Sequence, residues 1–117
     1  MSNDVQLVFH VPMYRYDGKN LVGVNYQDFR RELIEILESH GVSTMRSEMI
    51  KENIKEHEFD EEILLVICSS DFETALVQSY VDLLIKYHKE FQHTFYVYGR
   101  NGFNHTVSIQ DGRAKVV

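Results

Sequence analysis

Apolar and polar residues alternate along this chain with two different periods, and the changes of period divide it into elements. Val5, Leu7, Phe9 and Val11 interleave with Gln6, Val8, His10 and Pro12. This near period of two predicts a strand opening the stretch 5–16. Pro12 has no amide hydrogen to give a ladder, so that end belongs on an edge or at a bulge. Asp17-Gly18 predicts a type I′ hairpin turn, with a short return strand through Leu21, Val22 and Val24. The period then lengthens. Phe29, Leu33, Ile36 and Leu37 make one apolar face of a helix over 25–40. Asn25 is the expected N-cap, and Asp28 suits the positive end of the helix dipole. Arg31 and Glu35 lie one turn apart and can pair. Gly41 fits the left-handed position that ends a helix.

Residues 42–62 have no clean period. Val42, Thr44 and Met45 open like a strand, while Glu48–Glu56 reads equally as a polar hairpin strand or a short helix. Asp60-Glu61-Glu62 reads as a solvated lead-in to residues 63–69, which are apolar on both faces and so expected at the centre of a sheet. Ser70-Asp71-Phe72-Glu73 has the form of a capping box. It opens a helix over 71–90, in which Phe72, Leu76, Tyr80, Leu83, Leu84, Tyr87 and Phe91 recur at helical spacing. Val77, Val81 and Ile85 widen that arc until it needs cover on two sides or a subunit interface. An aromatic strand over 94–99 follows. Asn101-Gly102 predicts a hairpin, Phe103, Val107 and Ile109 the return strand, and Asp111-Gly112 a turn into a last strand.

This order predicts an α+β fold, an antiparallel sheet with two helices on one face. It is a ferredoxin-like βαββαβ sandwich with an extra C-terminal β-hairpin, built as a single domain over 1–117. Phe9, Phe29, Leu33, Leu65, Ile67, Leu76, Leu83 and Leu84 are the expected core. The second face of the sheet is left to water or to a partner.

Composition narrows the class of protein. With 44% hydrophobic residues, 26% charged residues and one proline in 117 residues, the chain is globular rather than disordered. The lone Cys68 has no partner for a disulfide and reads as a small core residue, which fits a reducing compartment. No apolar run reaches the roughly 20 residues of a membrane span. Met1-Ser2-Asn3-Asp4 shows no leader pattern, so a cytoplasmic protein without a membrane role is expected. The net charge of −6 is unevenly placed. Residues 1–85 carry seven Lys/Arg against sixteen Asp/Glu, and residues 86–117 carry five against two.

No motif carries a specific chemistry. Gly-x-Ser-x-Gly is absent around Ser69 and Ser70. The glycines are scattered singly, so there is no phosphate loop. Glu52, Glu56, Asp60, Glu61 and Glu62 lack the spacing of a calcium loop and read as a solvated acidic hairpin. His10, His40, His57, His88, His93 and His105 follow no metal-ligand spacing. No cofactor and no metal are therefore expected. The most unusual stretch is Tyr87–Phe103, where aromatics interleave with Lys, Arg and His. Phe95–Arg100 echoes, in a different order, the aromatic, glycine and basic content of an RNA-recognition strand.

Three functions follow as expectations. The first is a non-catalytic binding or regulatory protein, homodimeric, acting through protein–protein contacts. The second is a single-stranded RNA binder using Lys86, Lys89, Tyr96, Tyr98, Arg100 and Arg113, with Lys115 beside them and a tyrosine exposed between the cations. The third is a small enzyme working on a sheet face, with His10, Tyr14 or His105 as acid or base. A deep pocket in which two or more titratable side chains converge would count against the first and favour the third.

Overall fold

In a computed structural model, which describes residues 3–117, the two periods resolve into eight strands and two helices among the described residues. Met1 and Ser2, part of the stretch read for a leader, lie outside the described residues. The elements run β1 (Asp4–Val11), β2 (Tyr14–Tyr16), β3 (Leu21–Gly23), α1 (Gln27–Ser39), β4 (Thr44–Ile54), β5 (His57–Ser69), α2 (Ser70–Phe91), β6 (Phe95–Arg100), β7 (Phe103–Gln110) and β8 (Arg113–Val116). Six strands form one antiparallel sheet in the order β4-β5-β1-β6-β7-β8, and β2 and β3 pair apart from it as a two-stranded ribbon. The expected α+β class is present, with two helices on one side of an antiparallel sheet.

Alternation decides which side the helices cover. Val5, Leu7, Phe9 and Val11 of β1 are buried against them, with Leu64, Val66 and Cys68 of β5, Tyr96 and Tyr98 of β6, and Val107 and Ile109 of β7. From the helices come Phe29, Leu33 and Leu37 of α1 and Leu76, Tyr80, Leu84 and Phe91 of α2. Phe29 meets Tyr80, Tyr87 and Phe91 edge-on, which ties the two helices together. Most of the broad apolar arc of α2 is thus covered within the chain, by the sheet on one side and α1 on the other, while Phe72 in its first turn keeps 42% of its surface exposed.

Several sequence expectations need correction. Leu65 and Ile67 do not join the core, because they fall on the helix-free face and Ile67 keeps 37% of its surface exposed. Asn25 does not cap α1. The N-cap is Tyr26, which makes no side-chain cap bond, and the Asn25 amide donates to Glu90 instead. Ser70 is not the cap of α2 either. Ser69 is, its hydroxyl accepting from the Asp71 amide, while Glu73 turns away to pair with Arg100. The Asp17-Gly18 turn spans four residues, 17–20, closed by the Asp17 carboxylate accepting from the Lys19 and Asn20 amides.

The stretch without a period is a long hairpin of β4 and β5. Its turn sits at Lys55 and Glu56, both in the left-handed region at φ 50° and 67°. Neither residue type favours that conformation, which is why the turn was illegible. The turns at Asn101-Gly102 and Asp111-Gly112 form where expected.

Candidate functional site

Strand register brings distant residues together on the helix-free face. His10 stands opposite Ile63, and Ile50 stands opposite Glu61. Glu61 is therefore diagonal to His10 on β1, while Glu52 on β4, opposite Phe59, is diagonal to it on the other side. The ligand-capable atoms of His10, Glu52 and Glu61 all lie within 4.8 Å of one another.

These three side chains line a cavity of about 140 Å³ at the end of the sheet where β1 reaches Pro12. Ile54, Phe59, Phe95 and Val97 give it apolar walls, and Tyr80, His93 and Tyr96 close it from the helix side. No lysine or arginine is among its lining residues. A pocket that encloses a drug-sized ligand holds about 300–1,000 Å³. This one takes a small molecule, or the reacting end of a larger one.

Each polar wall has an identifiable support. His10 Nδ1 lies 3.4 Å from Glu61 Oε2. The His10 backbone carbonyl accepts from the Tyr80 hydroxyl at 2.6 Å. Burial drives the Tyr80 phenol well above its ordinary ionisation range, so it stays a donor. Glu61 is 91% buried, yet its only polar partner among the described residues is His10.

His93 comes from the loop after α2, where Gln92 adopts the left-handed C-cap at φ 53°. Its Nε2 lies 2.6 Å from the Tyr14 carbonyl. A carbonyl oxygen only accepts, so Nε2 carries a proton, and in the neutral tautomer the lone pair lies on Nδ1. The ring stacks on Tyr96, with centroids 5.3 Å apart and planes 10° from parallel. The Tyr96 hydroxyl accepts from the His93 amide and shares a 2.7 Å hydrogen bond with His88 Nδ1. Burial pushes the Tyr96 phenol up to about 12, against the opposing pull of the His93 N–H.

Of the enzyme residues proposed from sequence, His10 is at the site. Tyr14 contributes its carbonyl rather than its phenol, by fixing His93. His105 is elsewhere, stacked on Tyr98 across the β6–β7 pair. Glu52, Glu61 and His93 were missed as reactive groups. Asp60-Glu61-Glu62 is no solvated lead-in, because Glu61 and Glu62 are buried strand residues. A faint sign was available. His10 occupies an outward position of a strand whose inward set was already complete.

The RNA set does not assemble. Tyr96 and Tyr98 are buried on the helix side, at 3% and 8% exposure, and offer no stacking surface. Arg100 is paired with Glu73 and Lys86 with Glu32, which leaves Lys89, Arg113 and Lys115 without the aromatic platform.

No family model matches the chain, and no curated protein matches it. Among solved structures, it is similar to a phage SAM lyase in complex with S-methyl-5′-thioadenosine. The two are 11% identical with a TM-score of 0.43, over 91% of this chain and 88% of that one. It is similar also to a phage SAM lyase in the apo state, 13% identical with a TM-score of 0.40, over 97% and 86% of the two chains. Both neighbours are enzymes. The cavity that gathers His10, Glu52, Glu61 and His93 corrects the expectation of a non-catalytic binding or regulatory protein, because titratable side chains converge in it.

Proposed function

We propose that this chain is a small enzyme whose active site is the cavity between the end of β1, the β4–β5 hairpin and the loop after α2. It catalyses proton transfer on a small substrate, as in an elimination or an isomerisation. The β4-β5-β1-β6 core, joined through α1 and α2, serves as a ferredoxin-like scaffold that holds the site on rigid strands. One observation carries the reading. A buried carboxylate without a cationic partner, Glu61, faces a cavity that also holds a histidine whose free lone pair is fixed by its other nitrogen. Among the described residues, no serine, cysteine or lysine lines the cavity. The groups present are those that move protons rather than those that form acyl or imine intermediates. His93 Nδ1 is the base, and the His10–Glu61–Glu52 wall facing it supplies the charged side of the cavity. Phe59, Phe95 and Val97 seat the apolar part of the substrate.

The test is turnover of a panel of small metabolites, with consumption followed by proton NMR. SAM, named for the neighbouring structures, belongs in that panel together with small amines, hydroxy acids and carbonyl compounds. His93→Ala is expected to lower the rate on the consumed compound by about 10²–10⁴-fold, the usual worth of a positioned acid or base. His105→Ala should leave it unchanged. A panel in which nothing is consumed faster than without protein, or a rate indifferent to His93→Ala, counts against the enzyme reading.

A further inference from the structure

Two buried glutamates sit next to each other in β5, and only one is neutralised. Glu62 faces the helix side, where Arg30 grips both of its oxygens at 2.6 and 3.0 Å and the Ser47 hydroxyl donates a third bond. Glu61 faces the cavity, nine-tenths buried, and no donor outside the His10–Glu52–Glu61 trio reaches it among the described residues. Glu52 adds a second carboxylate, itself in no ion pair among the described residues. Two carboxylates drawn together in a partly desolvated site repel each other unless a cation lies between them.

We propose that His10, Glu52 and Glu61 bind one divalent transition-metal ion of the Mn²⁺ or Zn²⁺ type, an inference that rests on the catalytic reading of this cavity and deepens it. Two oxygen donors and one imidazole nitrogen are a donor set suited to such an ion. No linear motif joins residues 10, 52 and 61, and the register of β1, β5 and β4 does so instead. The donors lie within 4.8 Å of one another. Bonds of about 2.0–2.2 Å draw them together by roughly an ångström at most, a movement within reach of the partly exposed Glu52 side chain. Three protein ligands leave coordination positions open toward the cavity, the arrangement of catalytic rather than structural metal sites. The Tyr80 hydroxyl, bonded to the His10 carbonyl, holds the His10 backbone in place. The ion polarises a substrate oxygen in the cavity that His93 lines.

Calorimetric titration of chelator-treated, untagged protein with Mn²⁺ alone and with Zn²⁺ alone tests this directly. The expected result is one ion per chain. Affinity should fall at least about tenfold in Glu61→Gln and in Glu52→Gln, and stay unchanged in Glu48→Gln, which alters an open-face glutamate paired with Arg46. Glu52→Gln removes a ligand without touching a buried residue, so it remains informative if Glu61→Gln perturbs folding. Absence of saturable uptake of either ion overturns the proposal. So does uptake that persists in the Glu52→Gln/Glu61→Gln pair, the mark of adventitious binding at Glu58 and Asp60 near the hairpin tip. Loss of turnover in His93→Ala without metal uptake removes the metal and leaves the enzyme. One-to-one uptake with no compound consumed removes the enzyme and leaves the metal.

Discussion

Glu61 and Glu62 are neighbours in one strand, equally buried at 9% and 8% exposure, and they live under opposite rules. The pleat sends Glu62 to the side where α1 lies, and there Arg30 meets it with a two-pronged hydrogen bond. Burial alone would raise the Glu62 pKa, but the bonds from Arg30 and Ser47 outweigh it and hold the carboxyl below its ordinary range. Glu61 goes to the face without helices, where aromatic and aliphatic side chains flank it and, among the described residues, no arginine pairs with it. On the helix-covered face the buried carboxylate of Glu62 is matched by Arg30, and Leu64, Val66 and Cys68 beside it are packed. The open face keeps Ile67 37% exposed and a carboxylate unanswered among the described residues. A fold stabilises itself on one face and holds unsatisfied chemistry on the other, because interactions that are complete have nothing left to offer a ligand.

The two faces should respond differently to the same kind of change. The largest contrast is in packing. Leu84→Ala empties a fully buried site under α2 and should cost about 2–5 kcal/mol. Ile67→Ala on the open face should cost about 1 kcal/mol, because much of its surface is already wet. Urea titration of the two variants decides this, and equal losses would mean that something covers the open face in solution.

Next comes the charge pair. Arg30→Ala should destabilise by about 2–3 kcal/mol, less than the roughly 3–5 of a fully buried pair, since the Arg30 side chain is 38% exposed. Because the pKa of Glu62 is lowered on folding, its contribution is present above the ordinary value of 4.5 and is lost as pH falls from there through the folded value. Stability measured from pH 6 down to pH 3 should therefore drop more in the natural protein than in Arg30→Ala. The reverse order would show that Glu62 gains nothing from its partner.

Glu61→Gln should go the other way. Removing an uncompensated charge from the open face should leave stability within about 1 kcal/mol or raise it. A loss comparable with that of Arg30→Ala would make Glu61 a structural residue. The smallest effect lies at the hairpin tip, where Lys55→Asn with Glu56→Gly supplies residues suited to positive φ. It should stabilise by about 0.5 kcal/mol, read as a small rise in melting temperature.

Several features were legible because they are local. The odd residues of β1, the apolar stripes of α1 and α2, and the turns at Asn101-Gly102 and Asp111-Gly112 each announce themselves within a few residues, since period and turn chemistry are short-range. Where short-range preference was violated, reading failed. Lys55-Glu56 occupies a turn that favours asparagine and glycine, and Ser69 caps α2 although Ser70-x-x-Glu73 has the better pattern. Leu65 and Ile67 look like core in a run apolar on both sides, and only the absence of a second helix layer leaves one side open.

By itself the sequence determined that this chain makes an antiparallel α+β sandwich with two helices, because alternation and helical spacing are written in consecutive residues. The tertiary structure alone decided that position 10 on β1 lies diagonal to position 61 on β5, with position 52 across the hairpin and position 93 closing the cavity beside them. It decided too that Arg30 reaches Glu62 and nothing cationic reaches Glu61. These are facts of register, and a shift of one residue would send each of those side chains to the opposite face. No local pattern fixes such a register. It is set by the sum of packing on the covered face, and the chemistry of the open face follows from it.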